Sequence, residues 1–178
     1  QVIDPKNNPT KYAYDNQQNI DNPSSITDAK GTNTIYQYNG LSNLLKLTSP
    51  DSGTHNYTAY DGNGNLLQQQ DARGNSITYD YDGLNRPKTI TYADSVDNTI
   101  FNYDNGTNAV GRLTKVQNGV SSNSYYYDAR GNTTSEIQRI DNHDYTLRYA
   151  YNKADNLTNI VYPSGTQLVY SYSNGQIS

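Results

Sequence analysis

Carboxylates, histidines and tyrosines are the side chains of this chain whose types and spacing could do chemistry. The run Asp61-Gly62-Asn63-Gly64-Asn65 begins like a calcium loop of the EF-hand type. That loop needs Gly at its sixth position and Glu at its twelfth, where this chain has Leu66 and Ala72, so a turn is the better reading. Asp80 and Asp82, two apart on a strand, would share one face, as a glycosidase pair could. Asp82, however, belongs to a motif that recurs along the whole chain, and a structural role explains it better. His55 and His143 are far apart and have no neighbours at ligand spacing. There is no Cys and no Gly-x-Ser-x-Gly elbow, which leaves thiol and serine nucleophiles without support. No residue is assigned a catalytic, cofactor-binding or metal-binding role. The 19 tyrosines are a different matter. Exposed tyrosines can stack on sugars, whereas rings spaced by two on one strand face pack against cross-strand neighbours. The period-two placement favours packing, and Tyr126, out of phase between Tyr125 and Tyr127, is the one expected on the other face.

The elements that position these groups follow from one repeat. An aromatic-x-Tyr-Asp pattern returns with its second aromatic at Tyr14, Tyr38, Tyr60, Tyr81, Tyr103, Tyr127, Tyr151 and Tyr172, at intervals of 21 to 24 residues. A period in this range marks an array whose units bury their apolar faces only against neighbours. Alternation such as Ile77, Tyr79, Tyr81 or Leu147, Tyr149, Tyr151 predicts half-buried strands. Second strands are expected over Leu44–Leu47, Leu66–Gln70, Leu113–Val116 and Leu157–Tyr162. Turns of the form Asp-x-x-Gly separate them, with Gly31, Gly74 and Gly131 expected at positive φ. The string Asp-Ala-Arg-Gly-Asn occurs at 71–75 and again at 128–132, in two frames of the repeat, so both turns of a unit are near-equivalents. The expected fold is all-β: about sixteen antiparallel strands with negligible helix, residues 1–178 forming a single array of about eight hairpin units without internal boundary.

Composition narrows the class further. The apolar fraction is 33%, with one Phe and no Trp or Met, which predicts a thin layer packed by tyrosine rings rather than a deep aliphatic core. The net charge of −4 and scattered Lys and Arg argue against a nucleic-acid partner. No apolar run is long enough for a membrane helix, and no signal peptide is seen. The sequons at Asn56, Asn105, Asn132 and Asn156 are what chance gives in a chain so rich in Asn, Ser and Thr. The start at Gln1 and the lack of Met suggest a segment of a longer array.

These units resemble the Tyr-Asp (YD) repeat of the rearrangement-hotspot, or Rhs, family, whose pattern is close to Gly-x-x-x-x-Tyr-x-Tyr-Asp-x-x-Gly-Arg-Leu. Gly74-Asn-Ser-Ile-Thr-Tyr79-Asp-Tyr81-Asp82-Gly-Leu-Asn85-Arg86 and Tyr60-Asp61-Gly-Asn-Gly64-Asn65-Leu66 carry the match, and Gly111-Arg112-Leu113 keeps its tail. Thr58 and Phe101 replace the first aromatic, and Asn39, Asn152 and Ser173 the Asp. The family includes bacterial polymorphic toxins, wall-associated proteins, shell-forming components of toxin complexes and teneurins. The resemblance implies a continuous, curved antiparallel β-ribbon, an arc of a spiral hollow shell that encloses a polypeptide cargo, in a bacterial protein that is secreted or displayed at the cell surface. The implied partners are the rest of the parent shell and the cargo; no catalytic residue is carried over. The alternative is an extracellular, adhesin-like module with a glycan ligand. Exposed edge strands lead to a further expectation, that the fragment self-associates.

Overall fold

The computed structural model describes residues 1–15 and 19–177. The turn after Tyr14 and Asp15 lies outside the described residues. The chain divides into two compact units, one of Gln1–Arg86 with Ile90–Ala93, the other of Pro87–Thr89 with Asp94–Ser178.

The first unit holds β1 (Val2–Ile3), β2 (Pro9–Asp15), β3 (Asn19–Thr27), β4 (Asn33–Tyr38), β5 (Leu44–Ser49), β6 (Gly53–Tyr60), β7 (Leu66–Gln70) and β8 (Ser76–Tyr81). Strand β9 (Pro87–Thr91) has residues in both units. The second holds β10 (Thr99–Tyr103), β11 (Leu113–Gln117), β12 (Ser121–Tyr127), β13 (Thr133–Ile140), β14 (His143–Tyr151), β15 (Leu157–Val161) and β16 (Gln167–Val169). A separate pair, β17 (Tyr172–Ser173) and β18 (Gln176–Ile177), follows. The sheet has 16 strands in chain order, an all-β antiparallel meander. Among the described residues the only helical turn is the 3-10 segment Ser95–Asp97.

Pairing sorts the side chains onto two faces. In the first unit one row runs Gln37, Lys46, Asn56, Gln70, Ser76 across five strands, and the opposite face carries Tyr36, Leu47 and His55. In the second unit the polar side runs Asn102, Lys115, Ser124, while Phe101, Val116 and Asn123 lie opposite. Among the described residues only Ala109 and Thr114 are buried, as expected for a chain too poor in aliphatic residues to build a second layer.

The register slips by one residue just before Tyr38, Tyr60, Tyr103, Tyr127 and Tyr151, at Gln37/Tyr38, Ala59/Tyr60, Asn102/Tyr103, Tyr126/Tyr127 and Ala150/Tyr151. These bulges bend the strand end into the turn. Two boundaries differ from the sequence reading. Asp82 lies past the end of β8, in the turn, so it is not paired with Asp80 on a strand face. Tyr162 lies past the end of β15 and opens a turn, its N–H bonded to the Thr166 carbonyl at 2.9 Å.

Candidate functional site

The repeating feature with chemistry in it is the joint between units. At the end of β6 the Tyr60 hydroxyl donates to the Leu44 carbonyl of β5 at 2.5 Å. Tyr81 does the same to Leu66 at 3.0 Å, and Tyr103 to Pro87 at 2.9 Å. Tyr127 donates to Leu113 at 2.6 Å, Tyr151 to Thr133 at 3.0 Å and Tyr172 to Leu157 at 2.8 Å. In the first five cases the acceptor is the first residue of the preceding strand; for Tyr172 it is the first residue of β15, two strands back. The ladder between the two strands stops short of it: β5 and β6 last pair at Lys46 and Asn56, β11 and β12 at Lys115 and Ser124. The hydroxyl therefore satisfies a carbonyl that the ladder leaves open. Leu44 itself pairs with Tyr38, and Leu66 with Tyr60, so each joint passes from one repeat tyrosine to the next. Burial raises the pKa of Tyr38, Tyr60, Tyr81, Tyr127 and Tyr151 above the ordinary tyrosine value, because the phenolate would lose water. Tyr14, by contrast, is 49% exposed, and Tyr38 stacks on Tyr36 of its own strand at 6.5 Å between ring centres.

The turns form the second half of the joint. The Asp61 Oδ1 accepts the N–H groups of Asn63 and Asn65, each at 2.9 Å, and its Oδ2 accepts the Asn65 side-chain amide. The same arrangement surrounds Asp4, Asp71 and Asp128. At Asp82 the guanidinium of Arg86 takes the place of the amide at 2.7 Å. Asn39 and Asn152 serve as well as Asp, since the first two bonds need only a side-chain oxygen. The fourth turn position is left-handed: Gly31, Gly74 and Gly131 have φ of 85°, 87° and 93°. Ser42, Asn85 and Asp155 hold the equivalent position at φ of 61° to 65°.

The RHS repeat family model matches residues 21–54, 60–96 and 127–167, more than half of the chain. The chain belongs to the RHS repeat family. No curated protein matches its sequence. Among solved structures, this RHS repeat chain is similar to the crystal structure of TcdB2-TccC3 without its hypervariable C-terminal region, with 18% identity and a TM-score of 0.75. It is also similar to the Photorhabdus luminescens Tc holotoxin pore, with 18% identity and a TM-score of 0.74. Each likeness covers 95% of this chain and 10% of the other, so the chain spans about a tenth of their length. At this identity the likeness is one of fold.

Successive RHS repeat turns are tied sideways, which sequence reading missed. Asn63 and Asn65 both donate to the Asn85 side-chain oxygen at 2.9 Å. Asn132 donates to Asp155 at 2.7 Å, and Arg130 pairs with Asp155 at 2.9 Å while bonding the carbonyls of Asn152 and Lys153. The signal was the spacing: the donor and acceptor turns stand one repeat apart. The other candidate groups have local roles. The His55 ring bonds the Ser52 carbonyl at 3.1 Å, and His143 that of Asp141 at 2.9 Å. Among the described residues no group of three His, Asp or Glu is placed to hold a metal.

Proposed function

We propose that this RHS repeat chain is a stretch of the wall of a hollow β-shell that surrounds a polypeptide cargo, in a protein that works outside the cell that makes it. One observation carries the reading. The repeats form a sheet whose repeat tyrosines are half-buried and whose joints are closed carbonyl by carbonyl. A sheet of this kind is poorly suited to a catalytic cleft and well suited to separating two spaces. The likeness to TcdB2-TccC3 and to a Tc holotoxin pore supports it. On this reading the repeat tyrosines and turn glycines are structural, the two units belong to one array, and the partners are the rest of the parent shell and its cargo.

Limited proteolysis of the intact parent protein tests this. Polypeptide outside the array should resist protease in the native protein and be cut rapidly once the array is unfolded. Equal cleavage in both states would overturn the shell reading. A second reading, a saccharide-binding module, is favoured by one feature only, a polar groove beside Tyr126.

A further inference from the structure

One turn of the second unit breaks the repeat. Where Tyr38, Tyr60, Tyr81, Tyr127 and Tyr151 are each followed by a five-residue turn, Tyr103 is followed by an expanded loop closed by the Asp104 N–H on the Arg112 carbonyl at 3.0 Å. The loop is anchored by Ala109, 2% exposed, and by the Arg112 guanidinium, 5.6 Å from the Tyr127 ring centre. Insertions in repeat arrays fall in loops that often border a binding face.

This loop sets Asn105 at the rim of a groove of about 490 Å³ over the polar face, within the range of small-molecule sites. Asn102, Lys115 and Ser124 pair across three strands to form its floor, and Gln117 and Tyr126 extend it by two residues along β11 and β12. Tyr126 faces away from the repeat tyrosines and is 52% exposed. No carboxylate and no aliphatic side chain larger than Thr114 lines the groove. The turn asparagines Asn63, Asn65 and Asn132 are bonded to neighbouring side chains, whereas the polar ends of these six groove residues have no protein partner among the described residues.

We propose that this groove binds a hexopyranose bearing a carboxylate. The exposed Tyr126 ring offers a flat π-face for the C–H face of a pyranose. The amides of Asn102, Asn105 and Gln117 and the Ser124 hydroxyl can each donate and accept, as sugar hydroxyls require. Lys115 supplies the one positive charge, opposite a carboxylate. An apolar ligand would leave the Asn102, Asn105, Gln117 and Ser124 side chains without hydrogen-bond partners, and a nucleic acid would need several cations. The inference is independent of the shell reading.

Titration calorimetry of the chain with a hyaluronan tetrasaccharide, and with cellotetraose as a neutral counterpart, tests it. The acidic sugar should bind more tightly. Tyr126→Ala should weaken it by about tenfold or more, the loss expected of a stacking ring, and Tyr126→Phe should keep most of the affinity. Lys115→Gln should weaken the acidic sugar by about fivefold and leave the neutral one unchanged. Tyr145→Ala, on the opposite face and 48% exposed, should change neither. No binding of either sugar at about 10 mM, an unchanged Tyr126→Ala, or equal binding of both sugars would overturn the proposal.

Discussion

The hydroxyl of Tyr81 donates to the backbone carbonyl of Leu66, at 3.0 Å, from the strand that opens the next repeat. Leu66 is itself the register partner of Tyr60. One residue thus meets the tyrosines of two repeats, through its pairing on one side and its carbonyl on the other. Removing only the hydroxyl, in Tyr81→Phe, should cost about 1 kcal/mol. Tyr81→Ala should cost about 2 to 3 kcal/mol, at or below the range for buried aromatics because the ring is half-buried. Asn102→Ala, on the polar face, should cost under about 0.5 kcal/mol. Urea denaturation of the three variants measures this; equal losses at Tyr81 and Asn102 would refute the joint.

The left-handed turn position separates glycine from other residues. Gly74→Val should destabilise by at least about 1 kcal/mol, since a β-branched side chain is strained at positive φ. Gly131→Ala should destabilise through its positive φ of 93°, its added Cβ displacing the Arg112 guanidinium from the Tyr127 ring. Ser42→Gly removes strain at φ 65° and should stabilise by up to about 1 kcal/mol. Thermal melts of the three variants give the signs.

Acid should unfold the chain through its turns. Hydrogen bonds from the Asn65 side chain and backbone hold the Asp61 carboxyl below its ordinary value of 3.8. Bonds from Asn75, Arg86 and Asn132 do the same for Asp71, Asp82 and Asp128. A carboxylate with a depressed folded-state pKa contributes stability that is present above the unfolded value and lost as pH falls through the folded one. The melting temperature should therefore drop below about pH 4. Asp61→Asn, which copies the natural Asn39 and Asn152, should make that drop shallower; an unchanged slope would argue against the Asp61 bonds.

Alkali should act through the tyrosines. Desolvation first, then the nearby Tyr57 hydroxyl, raises the pKa of Tyr60; desolvation and then the Asp61 charge raise that of Tyr81. These groups favour the folded state fully below the unfolded value of 10.0, and that advantage is lost as pH rises through their higher folded values. Phenolate absorbance should therefore include a late stage, from joint tyrosines such as Tyr60 and Tyr81, that rises together with unfolding. A single stage at about pH 10 would contradict it.

The outer strands of the sheet, β1 and β16, carry exposed apolar side chains: Val2 at 61%, Ile3 at 56% and Val169 at 66%. Unpaired edges of this kind recruit other strands. We expect the isolated chain to self-associate, and light scattering of a stable monomer at about 100 μM would sink this.

The alternation around Tyr79 and Tyr149 and the Asp-x-x-Gly spacing were enough to read the strands and most turns, because both patterns are local. What escaped the sequence depends on where ladders stop. Nothing local marks the Leu44 or Leu113 carbonyl as open, since that follows from pairing between strands. Asp82 and Tyr162 continue the alternation of the strands before them, yet each opens a turn, its N–H bonded to the carbonyl of Arg86 or Thr166. The loop after Tyr103 left no mark in the spacing, since the 24 residues to Tyr127 equal the interval from Tyr127 to Tyr151; Gly111-Arg112-Leu113 looked like the ordinary tail of the motif, whereas Asn108, at φ 58°, and Ala109 belong to the inserted part.

The joint at Leu66 also bears on how such a chain can change length. Its parts come from Tyr60, Leu66 and Tyr81, all within one period, and nothing in it depends on how many periods precede or follow. Duplication of a gene segment one period long, with its break inside any strand, would recreate the same contacts on both sides of the insert. Deletion of one period would do the same. Unequal recombination can therefore lengthen or shorten the array a whole repeat at a time, while a slip of a few residues would misalign a hydroxyl and its carbonyl and leave a visible fault.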